Sequence, residues 1–150
     1  MHDKKTKDTS SLVKGILERI SSLDSLAYYK MEDLISDAEK FGEHLSKNFK
    51  ANQIRKFHSY ISKFWQKFIS NKMKYENDQE KFKEDILDEL SFVKVYLAYQ
   101  AGRTKSDVYK DFEKIIGKAI DKVKTSKDFE TFKKFYDAIL AYHKYYGGKD

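Results

Sequence analysis

The chain has no cysteine and no proline, and only six glycines in 150 residues. The missing cysteine excludes disulfides, thiolate metal sites and a cysteine nucleophile. The missing proline and scarce glycine leave few positions for turns, which favours long helices with short connections. Arginine is scarce as well: Arg19, Arg55 and Arg103 are the only three among 30 basic residues. No run approaches the roughly 18 apolar residues of a membrane span, and nothing resembles a secretory leader. A cytoplasmic location and no membrane partner are therefore expected.

Hydrophobic residues make up 40% and charged residues 36%, the balance of a globular chain rather than a disordered one. A chain of this length is expected to form one domain with a sizeable core. The 11 Phe, 11 Tyr and single Trp should mostly fill that core. The fold class expected is all-α, a single-domain bundle of about five to six helices over residues 1–150. Residues 1–9 are expected to form a flexible end, and residues 10–29 are less well specified.

One stretch stands out. From Lys47 to Lys74 there are eight basic residues and not one Asp or Glu, against a net charge of +6 for the whole chain. The stretch is also rich in apolar residues, so it is not a disordered basic tail. On a helix, Ile54, Phe57, Ile61, Phe64, Trp65 and Phe68 fall within an arc of roughly 100°, the width of a core-facing face. Lys56, Lys63, Lys67 and Lys74 fall within about 20° of one line on another face, a rail about 27 Å long at 1.5 Å per residue. Such a rail suits the backbone of a polyanion. A lysine-rich face is also common as plain solvated surface, and charge alone leaves both readings open. The absence of acids favours the polyanion, because solvated faces normally mix both signs.

Along the chain, Ser10 or Ser11 caps a first helical pattern through Leu12, Val13, Ile16, Leu17, Ile20 and Leu23. A second runs from about Lys30 to Leu45 and is expected to bury Met31, Leu34, Ile35, Ala38, Phe41 and Leu45. Asn52 is the expected cap of the basic helix, which continues to Lys72 or Lys74. The charge then changes sign: seven acids lie between Glu76 and Glu89. Asp78 is a suitable N-cap for a helix carrying Phe82, Ile86, Leu90, Val93 and Leu97, with Gly102 at the expected C-cap. Ser106 opens the next helix. Thr125 or Ser126 opens the last, which ends before Gly147-Gly148.

Catalytic patterns are absent. His2, His44, His58 and His143 are not paired in sequence, Glu43-His44 is no part of HExxH, and there is no phosphate loop or GxSxG. Asp85, Asp88 and Glu89 share a helical face, but a solvated acidic face is far commoner than a carboxylate metal site. No enzyme activity, no cofactor and no metal are expected.

Three segments carry a resemblance. Asn52-Gln53-Ile54-Arg55-Lys56-Phe57 opens the basic helix, Ala98-Tyr99-Gln100-Ala101-Gly102-Arg103 ends the following one, and Ala138 to Gly148 (AILAYHKYYGG) ends the last. In this order and spacing the chain resembles the all-helical small subunit of type III-A (Csm-type) CRISPR–Cas interference complexes, over roughly residues 50–148. The family usually has Thr or Ser where Ala51 and Asn52 stand, and often Glu at Asp137. The resemblance implies a non-catalytic subunit whose copies stack beside the backbone and large subunits and line the groove where CRISPR RNA and target RNA pair. Arg55, Lys56 and Arg103 stand at family motif positions and are the first candidates for RNA contact. Lys63, Lys67, Lys74 and Lys105 join them from the rail and local charge alone. Two other classes fit the residues: a stand-alone helical nucleic-acid-binding protein, and a dimerisation or docking module with a solvated lysine face. A structural ion pair with the run Glu76–Glu89 is the competing role for Arg55 and Arg103.

Overall fold

A computed structural model describes the backbone of residues 2–149 and the side chains of residues 11–149. The side chains of the charged end, residues 1–9, lie outside the described residues. The chain is all-α. Six helices of 15 residues or more, α1 (His2–Ser21), α2 (Met31–Asn48), α3 (Arg55–Ser70), α6 (Asp88–Thr104), α7 (Asp107–Asp121) and α8 (Ser126–Tyr145), surround one core. Between α3 and α6 lie the short α4 (Lys72–Asn77), α5 (Gln79–Phe82) and a π turn, Lys83–Leu87, that leads into α6.

Local capping chemistry accounts for several helix starts. Asp78 accepts the Lys81 N–H at 3.1 Å, and Ser106 accepts that of Tyr109 at 3.2 Å. Thr125 and Asp128 form a reciprocal capping box at the start of α8. Other boundaries differ from those expected. The first helix begins at His2, ahead of Ser10. Asn52 does not cap α3: it sits in a 3-10 turn, Ala51–Ile54, whose start is held by the Lys50 N–H donating to Gln53 Oε1 at 2.9 Å. The basic helix stops at Ser70, because the Asn71 side chain donates to the Lys67 carbonyl at 2.9 Å and its own N–H turns back to Lys67 and Phe68. Gly102 is not the cap of α6, which runs on to Thr104. Lys105 takes the left-handed conformation at φ 55, and the Thr104 hydroxyl donates to the Ala101 carbonyl and accepts the Ser106 N–H across this two-residue connection.

Helices α3 and α8 are antiparallel: His58 meets Tyr136 near the start of α3, and Trp65 meets Phe129 towards its end. The run from α5 through the π turn into α6 is in turn antiparallel to α3, with Phe68 beside Phe82 of α5 and Lys56 beside Tyr96 of α6. Aromatic rings form a ladder through the centre, from Phe68 to Phe129 (5.3 Å), Phe132 (6.3 Å), Tyr136 (6.4 Å), Phe57 (5.6 Å), Phe112 (5.8 Å) and Phe49 (5.1 Å). Each such pair adds about 0.5–1.5 kcal/mol beyond its area burial.

Helices α2 and α8 run side by side in the same direction. Met31 and Ile35, expected in the core, are 47% and 42% exposed. The face of α2 that meets the protein passes instead through Leu34, Asp37, Ala38, Phe41, Gly42 and Leu45. Asp37 is tolerated inside because Tyr29 Oη donates to it at 2.6 Å and Arg19 Nε lies 2.9 Å away. Gly42 marks the closest approach: a Cβ there would lie 2.7 Å from Tyr142 Cβ and 2.8 Å from the Ile139 carbonyl oxygen. Gly42→Ala should therefore lower unfolding free energy by about 1–3 kcal/mol. Gly15, in α1 with open space around it, is the control: Gly15→Ala should raise it by about 0.5–1 kcal/mol. Urea unfolding measures both.

The start of α8 is tied to the loop before α2 by a buried carboxylate. Asp128 accepts the Ser25 hydroxyl and the N–H groups of Ala27 (2.7 Å), Lys124 (2.9 Å) and Thr125 (3.1 Å). Burial pushes this carboxyl up, but these hydrogen bonds outweigh it and hold the pKa below the usual carboxylate range. A depressed folded pKa gives stability that is complete above the unfolded value of about 3.9 and disappears as pH falls through the folded value. Asp128→Asn should cost about 2–3 kcal/mol at neutral pH. Urea midpoints measured between neutral and strongly acid pH should show the gap to the parent narrowing only below the unfolded value.

Candidate nucleic-acid interface

The three sequence segments that stand far apart in the chain meet at one end of the bundle. This end holds the close of α2, the start of α3, the α6–α7 connection and the end of α8. Phe49, just past α2, stacks on Tyr109 of α7 at 5.5 Å and meets the His143 ring of α8 at 6.4 Å. The Phe49 carbonyl lies 2.6 Å from His143 Nε2 in a buried hydrogen bond. A carbonyl only accepts, so Nε2 carries the hydrogen. After α8 the chain folds back. Gly147 takes φ 92, the Gly148 N–H donates to the His143 carbonyl at 2.7 Å, and the Lys149 carbonyl accepts the Ala51 N–H at 2.8 Å. Gly148 packs directly on the imidazole, where a Cβ would overlap the ring. The Tyr-Tyr-Gly-Gly end thus fixes the backbone from which α3 starts.

This arrangement sets Arg55 and Lys56 in the first turn of α3, with Lys56 against Tyr96 of α6, the helix that carries Arg103 in its last turn and leads into Lys105. Lys56 Nζ lies 5.6 Å from the centre of the Tyr96 ring, and Tyr96 stacks edge-on against Tyr60 at 5.7 Å. Arg103 donates to Gln100 Oε1 at 2.8 Å. Burial pushes the Tyr109 hydroxyl well above its usual range and the neighbouring Tyr96 adds to this, while the positive charge of Arg103 opposes both. Arg103 is therefore close enough to the α7 start to act on it.

All seven candidate residues, Arg55, Lys56, Lys63, Lys67, Lys74, Arg103 and Lys105, are exposed. None has an ion-pair partner within 4 Å among the described residues, whereas Arg19, Lys72, Lys81, Lys83, Lys94 and Lys133 all do. The acidic run does not engage Arg55 or Arg103 in such pairs. It spends charge locally: Asp85 accepts from Tyr75 Oη at 3.0 Å and pairs with Lys81 at 3.5 Å.

The seven do not form one rail. Lys56, Lys63 and Lys67 keep their line on α3, but Lys74 lies on α4 beyond the break at Asn71 and falls off it. Lys67 comes close to the acidic run. Partial burial pushes the Asp85 carboxyl up, but Tyr75, Lys81 and Lys67 together hold it below the usual carboxylate range. Arg55 and Lys56 lie at the start of α3, and Arg103 and Lys105 at the close of α6, away from the acidic run.

A shallow cavity of about 330 Å³ opens there, lined by Ala51, Asn52, Ile54, Arg55, His58, Leu140, His143 and Lys144. His58 Nδ1 is 2.8 Å from Tyr136 Oη. Lys144 joins the basic end without having been a candidate from sequence; its place inside the third segment is the signal that points to it. Among the described residues no group of three or more His, Cys, Asp or Glu is placed to hold a metal ion, and no helix is long and apolar enough to cross a membrane.

Residues 28–149 match the family model Csm2 Type III-A. The chain belongs to the Csm2 family of type III-A CRISPR systems. It is similar to the CRISPR system Cms protein Csm2 of Streptococcus thermophilus, at 31% identity over 127 residues, covering 79% of this chain and 95% of that protein. It is also similar to the protein of the same name from Enterococcus italicus, at 32% identity over 75 residues, 48% of this chain and 54% of that one. The family match takes in all three segments and begins at Tyr28, so α1 precedes it. Helix α1 nevertheless buries Val13, Ile16 and Ile20 in the common core.

Proposed function

We propose that this chain is the non-catalytic, RNA-binding small subunit of a type III-A CRISPR RNA-guided effector complex, acting in antiviral defence in the cytoplasm. Its copies stack into a short filament beside the backbone and large subunits, and its basic end holds the backbone of paired CRISPR RNA and target RNA. The observation that carries this reading is that Arg55, Lys56 and Arg103, exposed and without ion-pair partners among the described residues, lie on two of the three segments inside the family match, with Lys105 just beyond the second. Base pairing between guide and target reads the sequence, so the protein needs phosphate contacts and charge, not base-reading side chains. Each copy engages few phosphates, and the array supplies avidity.

RNA binding measured against salt tests the reading. Removing one phosphate interaction with a single strand should flatten the slope of log K against log salt by about 0.7. Arg55→Ala/Lys56→Ala/Arg103→Ala should flatten it by roughly two, while Lys63→Ala/Lys67→Ala should do less, because Lys67 is partly offset by Asp85. Equal binding by the parent and both variants would remove the RNA surface from this end and leave the docking-module reading. Tight binding of duplex DNA by the isolated chain would favour a stand-alone nucleic-acid-binding protein.

Stacking requires a head-to-tail surface that does not close on itself. The separated basic end and acidic run offer complementary patches on successive copies. Glu76→Lys/Glu80→Lys/Glu84→Lys, three exposed positions, should weaken assembly of the complex and its sensitivity to salt. Assembly unaltered at every salt concentration would place the stacking contact elsewhere.

A further inference from the structure

Helices α3 and α6 touch through Tyr60 and Tyr96, edge-on at 5.7 Å, and the groove above that contact has two unlike walls. Counted round α3 from Tyr60 at 100° per residue, Lys56, Lys63 and Lys67 fall within about 60°. They lie on the side away from the buried Phe57, Ile61, Phe64 and Phe68. Counted in the same way round α6 from Tyr96, Phe92, Tyr99 and Arg103 also fall within about 60°. They lie on the side away from the buried Leu90, Val93, Leu97 and Ala101. Because the two helices run in opposite directions, both arcs open onto the same groove. Lysines form one wall, and two aromatic rings with Arg103 form the other. The rings are bare, with Phe92 71% and Tyr99 64% exposed. Tyr60 and Tyr96, packed on the core, make the floor, and Lys56 Nζ reaches across it to 5.6 Å from the Tyr96 ring centre.

The charge of the groove decides what the rings receive. Lys56, Lys63, Lys67 and Arg103 are exposed and have no ion-pair partner among the described residues. The acids Asp85, Asp88 and Glu89 stand where α6 begins, at the Lys67 end, where Lys67 acts on Asp85. From Lys63 to Arg103 the groove is therefore basic. A single strand of RNA supplies both complements at once, phosphates for the cations and flat π faces for the rings. Stacking of this kind tolerates any sequence, because every base has such a face. In a duplex the same faces are covered by neighbouring bases, and the rings find nothing to stack on. Phe92 and Tyr99 stand seven residues apart, about 10 Å along the axis, as do Lys56 and Lys63. That distance spans about three nucleotides at roughly 3.4 Å per step of a stacked strand.

We infer that the α3–α6 groove is a single-strand site, in which Phe92 and Tyr99 stack on unpaired RNA bases while Lys56, Lys63 and Arg103 hold the phosphates between them. This rests on the RNA-binding reading above and adds a ligand class to it: unpaired nucleotides gripped by their bases, beside paired strands held by their backbone alone.

Binding of the full chain at low salt to a short oligouridylate carrying one 2-aminopurine tests the site, with the same strand annealed to its complement for comparison. Uridines stack weakly, so the emission of the free strand is high and should fall when the parent binds. Phe92→Leu/Tyr99→Leu keeps apolar groups and loses the rings. It should weaken single-strand binding by at least about tenfold and abolish the quenching. The slope of log K against log salt should stay unchanged, because no phosphate contact has been removed. Phe92→Tyr/Tyr99→Phe keeps both rings and should bind and quench like the parent. All three proteins should bind the duplex alike, and circular dichroism checks that they stay folded. A leucine variant that binds and quenches like the parent would overturn the inference and leave the RNA reading of Arg55, Lys56 and Arg103 standing. So would an equal loss on single strand and duplex. A parent that binds neither RNA at low salt would overturn the RNA reading itself, and this site with it.

Discussion

The buried hydrogen bond from His143 Nε2 to the Phe49 carbonyl joins the last helix to the segment that launches α3, and the candidate interface is arranged around it. A backbone carbonyl buried without a partner costs about 1–3 kcal/mol, so the imidazole is the group that permits Phe49 to be buried at all. Gly148 covers the ring from outside, and the Lys149 carbonyl takes up the Ala51 N–H. The 3-10 turn, the first turn of α3 and hence the direction of Arg55 and Lys56 follow from that closure. Histidine acts here as a structural strut with one assigned hydrogen, and glycine acts by having no side chain to collide with it.

The other end of α8 is held by a different device. Asp128 is a buried charge surrounded by four donors, three of them backbone N–H groups, and that satisfaction makes its burial tolerable. Together the two ends fix α8 parallel to α2, and the missing Cβ of Gly42 lets the helices meet backbone to backbone. The aromatic ladder from Phe68 to Phe49 then crosses the bundle, giving the basic end a rigid footing rather than a loop.

Charge is separated along the molecule by the way the chain turns. The acidic run is consumed in part by its own neighbours, Tyr75 and Lys81, and its field reaches Lys67. The far end keeps cations with no acid in contact. Helix α6 connects the two regions, with Asp88 at its start and Arg103 in its last turn, and it displays an apolar line between them. The same helix thus supplies core on one side and an exposed apolar line on the other.

Much was legible from sequence because it is local. Helix starts at Asp78, Ser106 and Thr125 follow from side chains that accept backbone N–H groups a few residues on. The buried face Ile54, Phe57, Ile61, Phe64 and Phe68 follows from a 3.6-residue period. The charge blocks needed only counting. Tertiary structure decided what depends on distant partners. Asp37 and Asp128 are buried because Tyr29, Arg19, Ser25 and Ala27 come to meet them. Met31 and Ile35 are exposed because α8 lies on the other side of α2. Lys74 leaves the lysine line because the Asn71 side chain ends α3, a choice that periodicity does not register. The stripe Leu90, Val93 and Leu97 of α6 follows from its period, while the exposure of Phe92, Val95 and Tyr99 depends on which side of the helix the bundle covers. Finally, three weak segments became one site only when antiparallel packing of α3 against α6 and α8 brought their ends together, and no spacing along the chain encodes that meeting.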